Sequence, residues 1–178
     1  MEIASQIIGY IATVVTIFAL IQKRMPVILT LAIIANALAG TSNLLISGYA
    51  GAGVCAIAVV QTAVSLIYEK KGKKVPVGVT IVFLAAYTAL TVVTVVMSQR
   101  FLDILPGVAA YMYALAVIQK KPLLFRIFMI LNSVLWIVYE LTLDIPNWAM
   151  AVMFAVQLIA TVVGIITVDI IGKKKSKG

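Results

Sequence analysis

The sequence predicts an all-α polytopic membrane protein, with seven transmembrane helices in a 3+1+3 arrangement of two parallel three-helix repeats. Three observations carry that expectation. Hydrophobic residues make up 63% of the 178 positions and charged ones only 11%, against the roughly 25% charged residues of soluble domains. Charge, proline and glycine cut the chain into seven apolar runs. Finally, the first part of the chain recurs in the last. With a mean hydropathy of +1.15, this composition excludes disorder and a water-soluble enzyme, because a small soluble fold must expose polar side chains.

Each run is near the ~20 residues that cross a bilayer as a helix. The predicted helices lie near Ala4–Gln22, Pro26–Ile46, Ala50–Tyr68, Val75–Met97, Leu102–Gln119, Leu123–Leu143 and Asn147–Ile171. They are separated by Lys23-Arg24, Ser47-Gly48, the Lys70–Lys74 cluster, Ser98-Gln99-Arg100, Lys120-Lys121-Pro122 and Asp144-Ile145-Pro146. The opening Met-Glu-Ile-Ala-Ser-Gln lacks the basic start of a cleavable leader, so the first run is read as a permanent helix. The fifth run contains Pro106-Gly107, which predicts either a late start or a kink.

Lysines and arginines set the expected orientation. Thirteen of the fourteen fall on alternate loops of one side, with Arg100 alone on the other. The positive-inside rule then places the C-terminus in the cytoplasm and the N-terminus outside. Glu2, Asp103, Glu140 and Asp144 fall outside or near the outer surface. The net charge of +8 is therefore a topology signal. It predicts contact with anionic lipid headgroups and no nucleic-acid partner.

The inventory narrows the chemistry. Histidine is absent and Cys55 is the one cysteine, which removes the usual proton shuttle, the intrachain disulfide and thiolate metal clusters. No Gly-x-x-x-x-Gly-Lys-Ser/Thr loop is present. The expectation is a non-enzyme with no cofactor and no metal.

The internal repeat begins with Ala19-Leu20-Ile21-Gln22-Lys23-Arg24 against Ala116-Val117-Ile118-Gln119-Lys120-Lys121. After a one-residue shift, Pro26 pairs with Pro122, Asn36 with Asn132 and Gln61 with Gln157. Residues 1–74 form the first three-helix repeat, 75–100 a linker helix, and 101–178 the second repeat with a basic cytoplasmic tail. The unpaired fourth helix restores direction, so the repeats are parallel; one transporter architecture places its solute between such repeats.

This plan resembles the SWEET sugar transporters and the PQ-loop superfamily. The stretch Gly40-Thr41-Ser42-Asn43-Leu44-Leu45-Ile46-Ser47-Gly48-Tyr49-Ala50-Gly51-Ala52 resembles, more closely, the bacterial inner-membrane family called YgjV, which implies a multi-pass protein of the bacterial cytoplasmic membrane. SWEET-like proteins carry a cavity-facing asparagine in the third helix of each unit, and Gln61 and Gln157 stand at the comparable places. The Pro-Gln pair of PQ-loop proteins is missing: Gln22 and Gln119 follow isoleucine, and the prolines come later, at 26 and 122.

Asn36, Gly40, Asn43 and Ser47 share one face of the second helix, and Asn132, Trp136, Tyr139 and Leu143 share the equivalent face of the sixth. Amides at bilayer depth either join helices or line a wet cavity, and both readings stand for Asn36 and Asn132. Tyr139 has an interfacial-belt alternative. Asn36, Asn43, Gln61, Asn132, Trp136, Tyr139 and Gln157 are the candidate substrate-binding residues. Glu140, an acid inside an apolar run, is the candidate ion or proton site; hydration near the outer surface is its alternative. The expected function is a transporter or facilitator for a neutral or zwitterionic small solute, working as a monomer or homodimer. The alternative is a membrane receptor or partner-binding regulatory subunit.

Overall fold

The computed structural model describes residues 1–20, 25–118 and 122–166. Within them the chain forms seven α-helices and no strand: α1 (Glu2–Leu20), α2 (Met25–Leu45), α3 (Tyr49–Lys70), α4 (Val77–Ser98), α5 (Ile104–Ile118), α6 (Pro122–Leu141) and α7 (Trp148–Gly164). Of these, α1 to α4 are long and apolar enough to cross a membrane, while α5 and α7 are apolar but shorter within the described residues. The expected helix ends at Gln22, Gln119 and Ile171 lie outside the described residues. So do Lys23-Arg24, Lys120-Lys121 and the basic tail.

Helix limits follow local chemistry. Pro76 is extended, with φ −62° and ψ 144°, and caps α4. A residue preceding proline disfavours the helical region, so α4 starts at Val77 and not at Val75. A 3-10 turn over Phe101–Asp103 leads into α5. Pro106 falls in the first turn of α5, where its missing N–H costs nothing; of the two expectations, the late start describes this helix. The α2–α3 turn has Ser47 in the left-handed region at φ 61°. Gly48 N–H donates to the Asn43 carbonyl (2.8 Å) and Ser47 N–H to that of Leu44 (3.2 Å). This double closure is the Schellman motif, and it fixes Asn43 in the last turn of α2.

The helices close a ring. α2 packs on α1 and α3, α6 packs on α5 and α7, and α1 meets α7 along a seam. On the opposite side α3 touches α5, with α4 leaning on both. Alanines dominate the buried positions (Ala12, Ala39, Ala109, Ala110, Ala114 and Ala149 among them), because small residues let helices approach where no hydrophobic drive exists in lipid. Larger apolar residues face outward instead: Ile81, Val82, Val96, Ile159 and Trp148 are all exposed. Of α4, only Tyr87 is buried.

Hydroxyls along the helices are mostly spent locally. Thr13, Thr62, Thr91, Ser133 and Thr161 each donate to the carbonyl four residues earlier, a bond within their own helix; Thr13 is also shared with the Ala149 carbonyl on α7 (3.3 Å). Ser65 donates to the Gln61 carbonyl (2.9 Å) and Thr161 to that of Gln157 (2.7 Å). These neighbours of the glutamines are therefore committed to their own helices.

Candidate functional site: a polar seam at the acidic end

Most of the polar side chains that join non-adjacent helices gather at the end of the ring that carries the α1 N-terminus and the α2–α3 turn; further along, Thr16 of α1 donates to Met153 Sδ on α7 (3.3 Å) and Tyr113 of α5 meets Thr62 on α3. Asn43 on α2 donates from Nδ2 to Glu140 Oε1 on α6 at 2.8 Å. The next residue back, Tyr139, accepts a hydrogen bond at its hydroxyl from Gly51 N–H on α3 (3.0 Å). Asn147, which caps α7, donates to Ser42 Oγ at 2.9 Å. Ser42 and Ser5 exchange bonds between α2 and α1, each hydroxyl donating to the other's carbonyl at 2.9 and 2.8 Å. Gln6 of α1 clamps α7, donating to the Pro146 carbonyl and accepting from Ala149 N–H.

This seam is dry and tightly packed. Ser5, Ser42, Asn43, Tyr139, Glu140 and Asn147 are all 0% exposed. A Cβ at Gly51 would lie 2.8 Å from Tyr139 Cε1, and one at Gly48 would lie 3.0 Å from Asn43 Oδ1. Only glycine lets the α3 start come this close. Among the described residues, two buried side-chain acceptors have no hydrogen-bond partner: Glu140 Oε2 and Asn43 Oδ1. At the rim, Arg100 pairs with Asp144 (3.5 Å) and donates to the Thr142 carbonyl (2.7 Å).

The expected site residues thus divide into two groups. Asn43, Tyr139 and Glu140 come together in the seam, and Trp136 stands beside them, edge-on to Tyr139 at 5.9 Å and stacked on Phe154 at 5.1 Å. Tyr139, Trp136 and Glu140 are all buried, away from the outer surface of the bundle. The remaining amides stay apart. Gln61 accepts from the Tyr87 hydroxyl on α4 (2.7 Å), Gln157 donates to Ser133 Oγ on α6 (3.2 Å), and Asn132 donates to the Ala109 carbonyl on α5 (2.7 Å). Asn36 bonds its own helix at Ala32 (2.9 Å) and lines a groove of about 580 Å³ between α2 and α3 with Gly40, Thr41, Tyr49 and Gly53. Tyr111 and Tyr113 face different partners: the first meets Thr88 and the Leu84 carbonyl on α4, the second Thr62 on α3.

Sequence reasoning missed Ser5, Gln6, Ser42, Asn147 and Tyr87. Ser42, Gly48 and Gly51 do lie inside the stretch that carries the family resemblance, so a signal was present for them. Ser5, Gln6, Asn147 and Tyr87 sit near run ends or singly in apolar sequence, with no spacing that marks them.

The stretch from Ser42 to Gly51 supplies one partner in most of the seam's bonds, and the family model described as bacterial inner membrane protein, Imp-YgjV, matches residues 3–169. The chain belongs to the YgjV family. Its membership places it among bacterial inner-membrane proteins, in keeping with the four membrane-length helices. Among curated proteins and among solved structures, none matches this YgjV-family chain. Within the described residues no group of three or more histidine, cysteine, aspartate or glutamate side chains is arranged to hold a metal ion.

Proposed function

We propose that the chain is a small-solute transporter or facilitator that alternates access by rocking α1–α3 against α5–α7, with all seven helices spanning the membrane. One observation carries the reading: bonds between the two bundles concentrate in the seam at one end. Asn43–Glu140, Gly51–Tyr139, Ser42–Asn147 and the Gln6 clamp all cross from the first bundle to the second. A seam made of a few hydrogen bonds, each worth only ~0.6 kcal/mol on average inside a membrane, is one that can open.

The helix neighbours support two parallel repeats joined by α4. α1 meets α7 as α5 meets α3, and each middle helix packs on both of its flanking helices. The resemblance to SWEET and PQ-loop proteins belongs to the same reading. With the basic loops in the cytoplasm, the seam is the outer gate and this conformation is closed to the outside. Gln61, Gln157, Asn36, Asn132 and Trp136 are proposed to meet a neutral or zwitterionic solute once the bundles separate. The protein performs no chemistry on that solute.

The groove between α2 and α3 favours a second reading, a receptor or regulatory subunit whose partner helix lies there. Counterflow uptake in proteoliposomes tests the first, with a panel of sugars, nucleosides, amino acids and vitamins. Wild type exchanges a solute, and the Gln61→Ala/Gln157→Ala variant, still folded, does not. Flux retained by that variant removes the glutamines from the site.

A further inference from the structure

The unpaired atoms of the seam form a complementary set. Asn43 Nδ2 already donates to Glu140 Oε1. The atoms left over are one amide oxygen, Asn43 Oδ1, and one carboxyl oxygen, Glu140 Oε2, both acceptors and both without a donor among the described residues. Both residues are 0% exposed, so water does not satisfy them from the surface. An unsatisfied polar atom in a dry membrane interior costs several kcal/mol. One hydrogen between the two oxygens would satisfy both and complete a cyclic acid–amide pair with two parallel hydrogen bonds.

Packing selects the smallest ligand. Cβ positions built at Gly48 and Gly51 fall 3.0 Å from Asn43 Oδ1 and 3.3 Å from Asn43 Nδ2, and the Gly48 position is also 3.4 Å from the Tyr139 hydroxyl. Those glycines pack against the amide, and among the described residues no group of three or more histidine, cysteine, aspartate or glutamate side chains is arranged there to hold a metal ion. A proton needs no volume.

We propose that Asn43 and Glu140 form a proton-binding latch: a proton on Glu140 Oε2, donated to Asn43 Oδ1, holds the α2–α6 seam shut. Opening parts the amide from the acid and admits water. The Oε2–H bond then breaks, the proton passes to a water molecule on that side, and a hydrated carboxylate remains, since a glutamate in water titrates near ~4.3. Low pH therefore favours the closed seam and rising pH favours the open one. With one proton exchanged, the open-to-closed ratio changes by at most about tenfold per pH unit.

The other titratable and charged groups around the pair are few. α3 presents Cys55 to Glu140, and α6 presents Tyr139. Asp103 and Arg100 act on Tyr139 from the segment before α5, and Arg100 is engaged by the exposed Asp144. Glu2 and Tyr10 of α1 are exposed, and α2 and the start of α7 bring neutral groups.

The latch extends the gate reading above, and its first test does not depend on transport. Infrared difference spectra of wild type minus Glu140→Gln, in lipid nanodiscs at neutral pH, are expected to show a protonated-carboxyl C=O band that shifts in Asn43→Ala. An ionised carboxylate band in its place overturns the proposal. The second test uses Cys55, the protein's one cysteine, buried beneath the seam. Its labelling by a membrane-impermeant maleimide is followed against pH in wild type and Glu140→Gln, in both of which the reactive thiol is the one exposed to water in the open state. The ratio of wild-type to variant rate is expected to rise with pH, by up to about tenfold per unit; a flat ratio overturns the latch. A protonated band together with absent solute flux would sink the transport reading while leaving the latch intact.

Discussion

Adding one methyl group at Gly51 is expected to loosen the seam. The new Cβ of Gly51→Ala would sit 2.8 Å from Tyr139 Cε1 and 3.2 Å from Asn43 Cγ. Carbon atoms in good contact are at least ~3.5 Å apart, so the Tyr139 ring must retreat by about 0.7 Å. That retreat stretches the 3.0 Å bond from Gly51 N–H to Tyr139 and displaces the amide that holds Glu140. Overpacking of this kind costs about 1–3 kcal/mol. The strain is confined to the closed seam, so the open population should rise by about 5- to 150-fold. Cys55 lies one turn further along α3, and its maleimide labelling reads the change directly. Tyr139→Leu removes the clashing ring edge, so Gly51→Ala should cost less in that background than in wild type. Unchanged labelling and unchanged unfolding in Gly51→Ala would refute the packing argument.

Three further outcomes follow from other contacts. Gly107→Ala places a Cβ against Thr91 Oγ1 and 2.9 Å from Thr91 Cβ, so rotating Thr91 cannot relieve it; a loss of about 1–3 kcal/mol is expected in unfolding assays, partly recovered by Thr91→Ala. Tyr87→Phe leaves Gln61 Oε1 without its donor on α4, and equilibrium unfolding should report a loss of about 0.6–1.7 kcal/mol. Asp144→Asn breaks the ion pair with Arg100, but Asp144 is 91% exposed, so the same assay should register a change below about 0.5 kcal/mol.

The helices were legible because hydropathy and charge mark depth in a bilayer, and depth is a local property. α2 and α3 lie within a residue or two of the ends expected from Ser47-Gly48 and the lysine cluster. The polar face of α2 and the unusual position of Glu140 were legible for the same reason. Their pairing was not: Asn43 and Glu140 are 97 residues apart, and which amide meets which acid depends on where helices cross. Helical spacing grouped Asn36 with Asn43 on one face, yet the Asn36 amide turns back to its own backbone beside an open groove, whereas Asn43 ends in the dry seam. Gln61 and Gln157 correspond in sequence but bond different neighbours, because α4 stands beside α3 and supplies Tyr87.

The most direct test of the gate is to lock it. Ser42 and Asn147 bond across the two bundles at 2.9 Å, so Ser42→Cys/Asn147→Cys in a Cys55→Ala background sets two thiols on facing helices across the gate, to be joined by oxidation. Counterflow in proteoliposomes is then measured oxidised and reduced, with the cross-link verified by mass. The account predicts solute exchange in the reduced protein, loss of exchange on oxidation, and recovery on reduction. Exchange that continues through a complete cross-link, or no exchange of any solute class by the reduced protein, would contradict it.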